Sequence, residues 1–294
     1  MHTIIGLGSA ACNIAEKFEN NTKYKVKLID ANIDGNNCFS LKEQNTPEEY
    51  EKTVPDLINF FSDVTDNIIF ITTGSGKISG ASLKILKYLK DKNINILYIR
   101  PDTDLLSSQG KLQDKLTFKV LQEYARSGLF KKIYLVSNLS LENILGDVSI
   151  IEYNDRLNNL IYETLNSIIL LEEQKPIIDN STQPKDVSRI ITFSIYDLEN
   201  DTEKNFYNFE YIDDKCYYFI FNENELKSNE KLFRIIKNKM REKTSENTKI
   251  SYKIFKCFTR ATDRGRVITV RWEDLPPTKE KYTWVSTLRK CKPN

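Results

Sequence analysis

Short β-branched runs alternate with stretches of helical period from the first residues of the chain. Apolar positions predict strands at Thr3–Leu7, Lys25–Ile29, Ile68–Thr72, Ile94–Ile99 and Lys132–Val136. Between them the pattern predicts helices at Ala10–Phe18, Pro47–Phe61, Ser79–Lys90 and Lys111–Ser127. A helix after a strand carries the chain back to the same end of the sheet, so that the next strand runs parallel to the last. The first half therefore reads as an α/β, doubly wound parallel sheet with helices on both faces.

From Ser149 to Glu173 the residues Ile150, Ile151, Leu157, Leu160, Ile161, Leu165 and Ile168 recur at three and four. They predict one central helix of roughly 37 Å at ~1.5 Å per residue, long enough to join two domains. Beyond it, Pro176, Pro184 and the polar run Asp179-Asn180-Ser181-Thr182 mark a loop. Strands are then predicted at Val187–Ile195, Lys215–Phe221, Lys249–Cys257 and Arg266–Trp272, with one helix over Glu225–Arg241. The plan is a parallel-sheet domain over 1–173 that includes the helix 149–173, and a linking loop over 174–185. A smaller α+β domain with a mixed sheet follows over 186–274. The tail 275–294 holds Lys279, Lys281, Arg289, Lys290 and Lys292 against Glu280, and reads as a solvated arm.

Composition narrows the function more than the fold. The chain has 294 residues, 40% apolar and 29% charged, an ordinary globular balance. Its apolar runs are too short for a membrane span, and 43 basic against 41 acidic residues give no field that would draw in nucleic acid. A soluble, cytoplasmic protein is expected. His2 is the single histidine, so triads and histidine-based metal centres have almost nothing to be built from. Cys12, Cys38, Cys216, Cys257 and Cys291 are scattered and never spaced as C-x-x-C, which argues against a zinc site and a disulfide framework.

Two small-residue loops carry the candidate chemistry. Gly6-Leu7-Gly8-Ser9-Ala10-Ala11 lies between a strand and a helix, where backbone N–H groups and the helix dipole attract phosphate. Asp30, at the end of the next strand, stands where a dinucleotide-binding Rossmann unit places its ribose-binding acid, so an NAD enzyme is one reading. A tight structural turn with Asp30 as a cap is another. The second loop, Thr72-Thr73-Gly74-Ser75-Gly76-Lys77-Ile78-Ser79-Gly80, also opens a helix. Two such loops on one sheet can hold both ends of a triphosphate.

At this point the chain resembles the tubulin/FtsZ superfamily, whose glycine-rich G-G-G-T-G-S/T-G run the second loop matches in shortened form, with Lys77 and Ile78 at glycine positions. The first loop followed by Asn13, the segment Ser108-Gln109-Gly110-Lys111, and LENILGDVSII at 141–151 are similar to later family motifs in the same order. The resemblance implies that Gly6, Gly8, Ser9, Ala10, Asn13, Asp30, Gly74, Ser75, Gly76, Ser79, Gly80, Gln109, Asn158 and Asn159 line a guanine-nucleotide site for GTP or GDP. Gln109 and Gln113 replace a charged pair, and Asn154 replaces the stacking aromatic, with Tyr153 one residue away. In Ser181-Thr182-Gln183-Pro184-Lys185-Asp186, Asp186 keeps the second acid of the family's catalytic pair while Gln183 replaces the first, which implies weak or absent hydrolysis.

The implied function is a self-assembling structural protein, a head-to-tail homo-oligomer in a cellular or viral assembly, with other assembly proteins as further partners. It would act in the cytoplasm or as a virion component. An active filament-forming GTPase and the NAD enzyme remain as alternatives.

Overall fold

The computed structural model describes residues 1–181, 189–246 and 248–256 in full, together with the backbone of three strands at 259–261, 267–269 and 282–289. The first half runs β1 (His2–Leu7), α1 (Ser9–Glu16), β2 (Tyr24–Asp30), β3 (Cys38–Ser40), α2 (Pro47–Thr53) and β4 (Asn67–Thr73). A 3-10 turn at Lys77–Ala81 leads into α3 (Ser82–Lys87) and β5 (Asn93–Arg100). A second one, at Thr103–Leu105, leads into α4 (Ser108–Ser127), β6 (Phe130–Ser137), α5 (Asn138–Leu145) and α6 (Tyr153–Glu172). The second half holds β7 (Ile178–Asp179), β8 (Ile190–Asp197), β9 (Thr202–Asn205), β10 (Asp214–Phe221), α7 (Glu223–Ser228) and α8 (Leu232–Lys243). It continues with β11 (Lys249–Lys256), β12 (Thr259–Ala261), β13 (Val267–Thr269) and β14 (Tyr282–Arg289).

The first six strands are parallel in the order β3-β2-β1-β4-β5-β6, the doubly wound sheet expected. The order reverses between β1 and β4, so the connections leaving these two strands diverge and open a crevice at their carboxyl ends. β8 extends the sheet through two parallel pairs, Ile133 with Ile190 and Tyr134 with Ile191. Beyond it the order β8-β14-β10-β11-β7 is mixed, with β14 antiparallel to both its neighbours and β10 parallel to β11.

Period-two alternation divides the strand residues between two faces. On one face Leu157, Ile161, Leu165 and Ile168 of α6 share a core with α1, with Ile71, Leu97 and Val136, and also with Ile191, Phe193, Tyr218 and Phe255 of the second half. One helix thus packs on both halves. The other face is covered by α2, α3 and α4 over the parallel strands and by Leu232, Ile236 and Met240 of α8 over Tyr217, Phe219 and Ile254. Among the described residues, no helix is long and apolar enough to cross a membrane.

Several expectations need correction. The central helix begins at Tyr153, and Ile150 and Ile151 stand 94% exposed in the link before it. The helix expected at 47–61 ends at Thr53, and that expected at 79–90 is a 3-10 turn followed by a short α-helix. The helix expected over Glu225–Arg241 is two, because Asn222 caps α7 by accepting from the Glu225 N–H at 2.8 Å and the chain leaves helical geometry at Asn229. The tail is not simply a solvated arm, since Tyr282–Arg289 forms an interior strand of the mixed sheet.

Candidate functional site

The crevice at the carboxyl ends of β1 and β4 is built first by the β1–α1 turn. Gly8 sits at φ 86°, a left-handed conformation that side chains resist, and its N–H donates to the Ile29 carbonyl at 2.8 Å. A methyl group at Gly6 would come 2.8 Å from the Ala11 carbonyl oxygen, so this glycine lets α1 lie close on β1. α1 has no side-chain cap and no acid in its first turn, which leaves its first N–H groups as open donors. Ser9, Ala10 and Asn13 are exposed there, so an anion can approach.

Asp30 is drawn to this turn: Ser9 Oγ donates to its Oδ2 at 2.7 Å and the Ala31 N–H to its Oδ1 at 2.8 Å. The Oδ2 bond holds the end of β2 to the start of α1, while the Oδ1 bond stays within the turn that leaves β2. Beneath, the Cys12 thiol faces the Gly6 and Ile29 carbonyls, and burial pushes its pKa up to about 12, which makes it a packing group and not a nucleophile.

The second loop is tied from within. The Gly76 carbonyl accepts the Ser79 N–H at 3.0 Å, Ser79 Oγ at 2.5 Å and Gln113 Nε2 at 2.9 Å. Ser79 is buried, and Gly80 has no room for a side chain because a methyl there would overlap the Pro47 carbonyl oxygen. A methyl on Gly8 would lie 2.8 Å from Ile78 Cγ2, so Ile78 is where the two loops touch. Ser75 and Gly76 are half-buried and Lys77 is exposed.

Under the second loop lies a group that the sequence reading missed. Asp114 is buried in α4. Its Oδ2 accepts from Arg100 Nε at 3.2 Å and Nη2 at 2.5 Å, and its Oδ1 accepts from the Tyr98 hydroxyl at 2.9 Å. Arg100 Nη1 also donates to the Tyr207 hydroxyl at 3.1 Å, reaching the segment after β9. Burial works against the Arg100 charge, but Asp114 outweighs it and raises the guanidinium pKa, while burial and the Asp114 charge together raise that of Tyr98. Gly74 fits because it has no side chain: a methyl would overlap the Asp114 carboxylate and lie 2.6 Å from the Tyr98 hydroxyl. The legible signal was an acid in register with Phe118, Leu121 and Ala125, on the core side of a helix.

The remaining candidates are spread more widely. Gln109 is exposed in the first turn of α4, whereas Gln113 one turn later reaches the second loop. Asn158 and Asn159 are half-buried on α6. Asn159 donates to Asp155 at 2.9 Å, and Asp155 pairs with Lys17 just beyond α1 at 2.7 Å. Asn154 is exposed. The Tyr153 hydroxyl is held by Glu142 of α5, and burial with that bond pushes its pKa up to about 12. Gln183, Lys185 and Asp186 lie outside the described residues, as do the arginine side chains of the β12–β13 hairpin.

The structure thus brings Gly8, Ser9, Asp30, Gly76, Ser79 and Gln113 around one crevice. The first loop fits a phosphate by its open N–H groups and small exposed residues. The second meets it with a 3-10 turn whose Gly76 carbonyl is taken by Gln113.

No protein-family model matches the sequence, and no curated protein matches it. Solved structures do. TubZ of Bacillus thuringiensis serovar israelensis, a GTPγS-form protofilament, is similar over 99% of this chain and 87% of its own, with TM-score 0.68 and 14% identity. An FtsZ dimer of M. jannaschii is similar over 98% and 88%, with TM-score 0.64 and 9% identity. CetZ2 of Haloferax volcanii, a GTPγS-bound protofilament, is similar over 98% and 93%, with TM-score 0.63 and 12% identity. Along its whole length, therefore, this chain has the tubulin/FtsZ-superfamily fold.

Proposed function

We propose that the chain is a tubulin/FtsZ-like self-assembling structural protein that binds GTP or GDP at the β1–α1 turn with little or no hydrolysis. The observation that carries this reading is the full-length likeness to proteins solved as protofilaments. The uncapped start of α1, beside exposed Ser9 and Ala10, supports the ligand. Gly8, Ser9, Ala10, Ser75, Gly76 and Lys77 would face phosphate, and Asn13, Gln109, Asn158 and Asn159 the nucleoside. Gly6, Gly74, Ser79 and Gly80 would hold the loops in shape. The nucleotide would supply charge that the α1 dipole can hold, and the chain's own groups would orient it. Asp30 bonds Ser9 at the turn, and its remaining lone pairs leave it able to accept from a ribose hydroxyl as well.

Gln183 in place of an acid can orient water but cannot accept its proton, so Asp186 alone would support turnover poorly. The assembly would be cytoplasmic or part of a virion, its subunits joined head to tail.

Sedimentation and electron microscopy of the purified chain, with and without GTP, test this reading. Ordered polymers are expected. A chain that stays monomeric at high concentration in both conditions overturns self-assembly. Nucleotide extraction is expected to yield guanine nucleotide, and recovered NAD would overturn the ligand assignment.

A further inference from the structure

The helix layer that covers the parallel strands opposite α6 concentrates positive charge on its outer surface. α3 crosses from β4 to β5 and α4 from β5 to β6 on one face of the sheet, so the two helices lie side by side. Lys84, Lys87 and Lys90, in α3 and the turn after it, are exposed, as are Lys111, Lys115 and Lys119 of α4. The whole chain has 43 basic against 41 acidic residues, so six lysines on one surface are a local concentration and not a general excess. The acids of α4 do not offset them. Asp114 is buried against Arg100, and Glu123 is paired with Arg126 at 2.6 Å.

Beside the lysines of α4 lie Leu112 and Leu116, one turn apart and 56 and 54% exposed. At 3.6 residues per turn, Lys111, Lys115 and Lys119 span about 80° of the helix circumference, and the two leucines follow within the next ~60°. The buried Asp114, Leu121 and Ala125 lie on the opposite side. A basic stripe and an apolar stripe therefore run in parallel along the outside of α4. One exposed leucine is ordinary, but a pair aligned beside a row of cations has the pattern of a helix that lies in a membrane interface.

We propose that this surface docks on an anionic phospholipid bilayer, with α4 flat in the headgroup layer. Leu112 and Leu116 enter the acyl boundary, and the lysines hold the headgroup anions while their stems cover the apolar margin. Nucleic acid would meet the lysines but leave both leucines in water. A protein partner fits less well, because lysine is depleted from protein interfaces, and the exposed residues of α3 and α4 from Lys84 to Lys119 include no aromatic or arginine anchor. Attachment of this kind is peripheral and reversible, since two leucines bury far less apolar surface than a spanning helix.

Flotation of the full chain with phosphatidylcholine vesicles, with and without phosphatidylserine, tests the surface, because only vesicle-bound chain rises and polymers of the protein sink. Binding is expected to phosphatidylserine vesicles, falling as salt rises, and not to phosphatidylcholine alone. Lys115→Gln with Lys119→Gln should weaken it about twentyfold. Leu112→Ser with Leu116→Ser should weaken it about tenfold or more with every charge kept. All four residues are exposed, and circular dichroism with thermal melts checks that both variants fold. A wild-type chain that does not rise with phosphatidylserine vesicles at low salt overturns the proposal, as do folded variants that bind like the wild type. Duplex DNA or polyglutamate held by the wild type and by the leucine variant but lost by the lysine variant, with no flotation, overturns it in favour of a polyanion. Nucleotide binding and self-assembly are read separately and stand or fall without it.

Discussion

The side-chain amide of Gln113 donates to the Gly76 carbonyl at 2.9 Å, so α4 pins the second glycine loop from one side. The same nitrogen lies 3.2 Å from Ser79 Oγ, and Ser79 also bonds to that carbonyl. Gln113→Ala should release the turn at Lys77–Ala81 while costing about 1 kcal/mol of stability. Hydrogen exchange by mass spectrometry checks it: amides in this turn should exchange faster, with those of β4 unchanged. Gln113→Glu should not restore protection, because an ionised glutamate has no proton to donate.

Asp114 answers for Arg100, and removing it leaves a guanidinium partly buried against Phe118 and Tyr207. Breaking such a pair costs about 3–5 kcal/mol in a fully buried setting, and the 23% exposure of the Arg100 side chain places Asp114→Ala at about 3 kcal/mol or below. Urea unfolding measures the loss. Replacing both partners, Asp114→Leu with Arg100→Met, should recover part of it.

At Gly8 two costs coincide, a left-handed φ and contact with Ile78. Gly8→Ala should destabilise by about 1–2 kcal/mol. Adding Ile78→Ala should relieve the contact but not the backbone strain, so thermal melts of the double variant should show incomplete recovery once the cost of Ile78→Ala alone is subtracted.

His2 gives a pH prediction that one NMR signal can read, because the chain has a single histidine. Burial lowers its pKa below 6.5, and Glu173 at 3.6 Å only partly offsets this. Above the unfolded pKa both states are neutral and His2 makes stability independent of pH. As pH falls below it the unfolded chain takes up the proton first, so stability declines until the folded value is passed. The imidazole should titrate below 6.5, and His2→Gln should flatten the loss of stability between about pH 7 and 5.

Binding and turnover have their own test. Ala10→Asp places a carboxylate at the open start of α1 and should abolish GTP binding in calorimetry. Phosphate release by the wild type should stay near background. Rapid release that Asp186→Ala abolishes would contradict this.

What the sequence made legible follows from the range of the forces involved. Strand-helix alternation is local, so five of the first six parallel strands could be read within a residue or two, while β3, only three residues long at Cys38–Ser40, carried too short a pattern to be read. The end of α4 was equally plain, since Gly128 at φ 85° closes it. Ile150 and Ile151 fit the helical period of α6, and only tertiary structure shows that they belong to a link outside it. Tyr282–Arg289 carries Tyr, Thr, Trp and Val, a strand composition, but the lysines around it weighed more than a pairing that depends on distant β8 and β10. In the site, the glycine loops were visible as motifs. The inward bonds of Gly76 and the wedge of Ile78 were not, because they depend on residues from three separate elements.

The place of β14 also sets an order on synthesis. β8 and β10 are both made before it, yet each meets the other only through it. About 60 residues separate the end of β10 from the start of β14, a delay of ~3–12 s at ~5–20 residues per second. Throughout that interval the edges of β8 and β10 that will meet β14 have no partner on the nascent chain, which makes this half the later one to close.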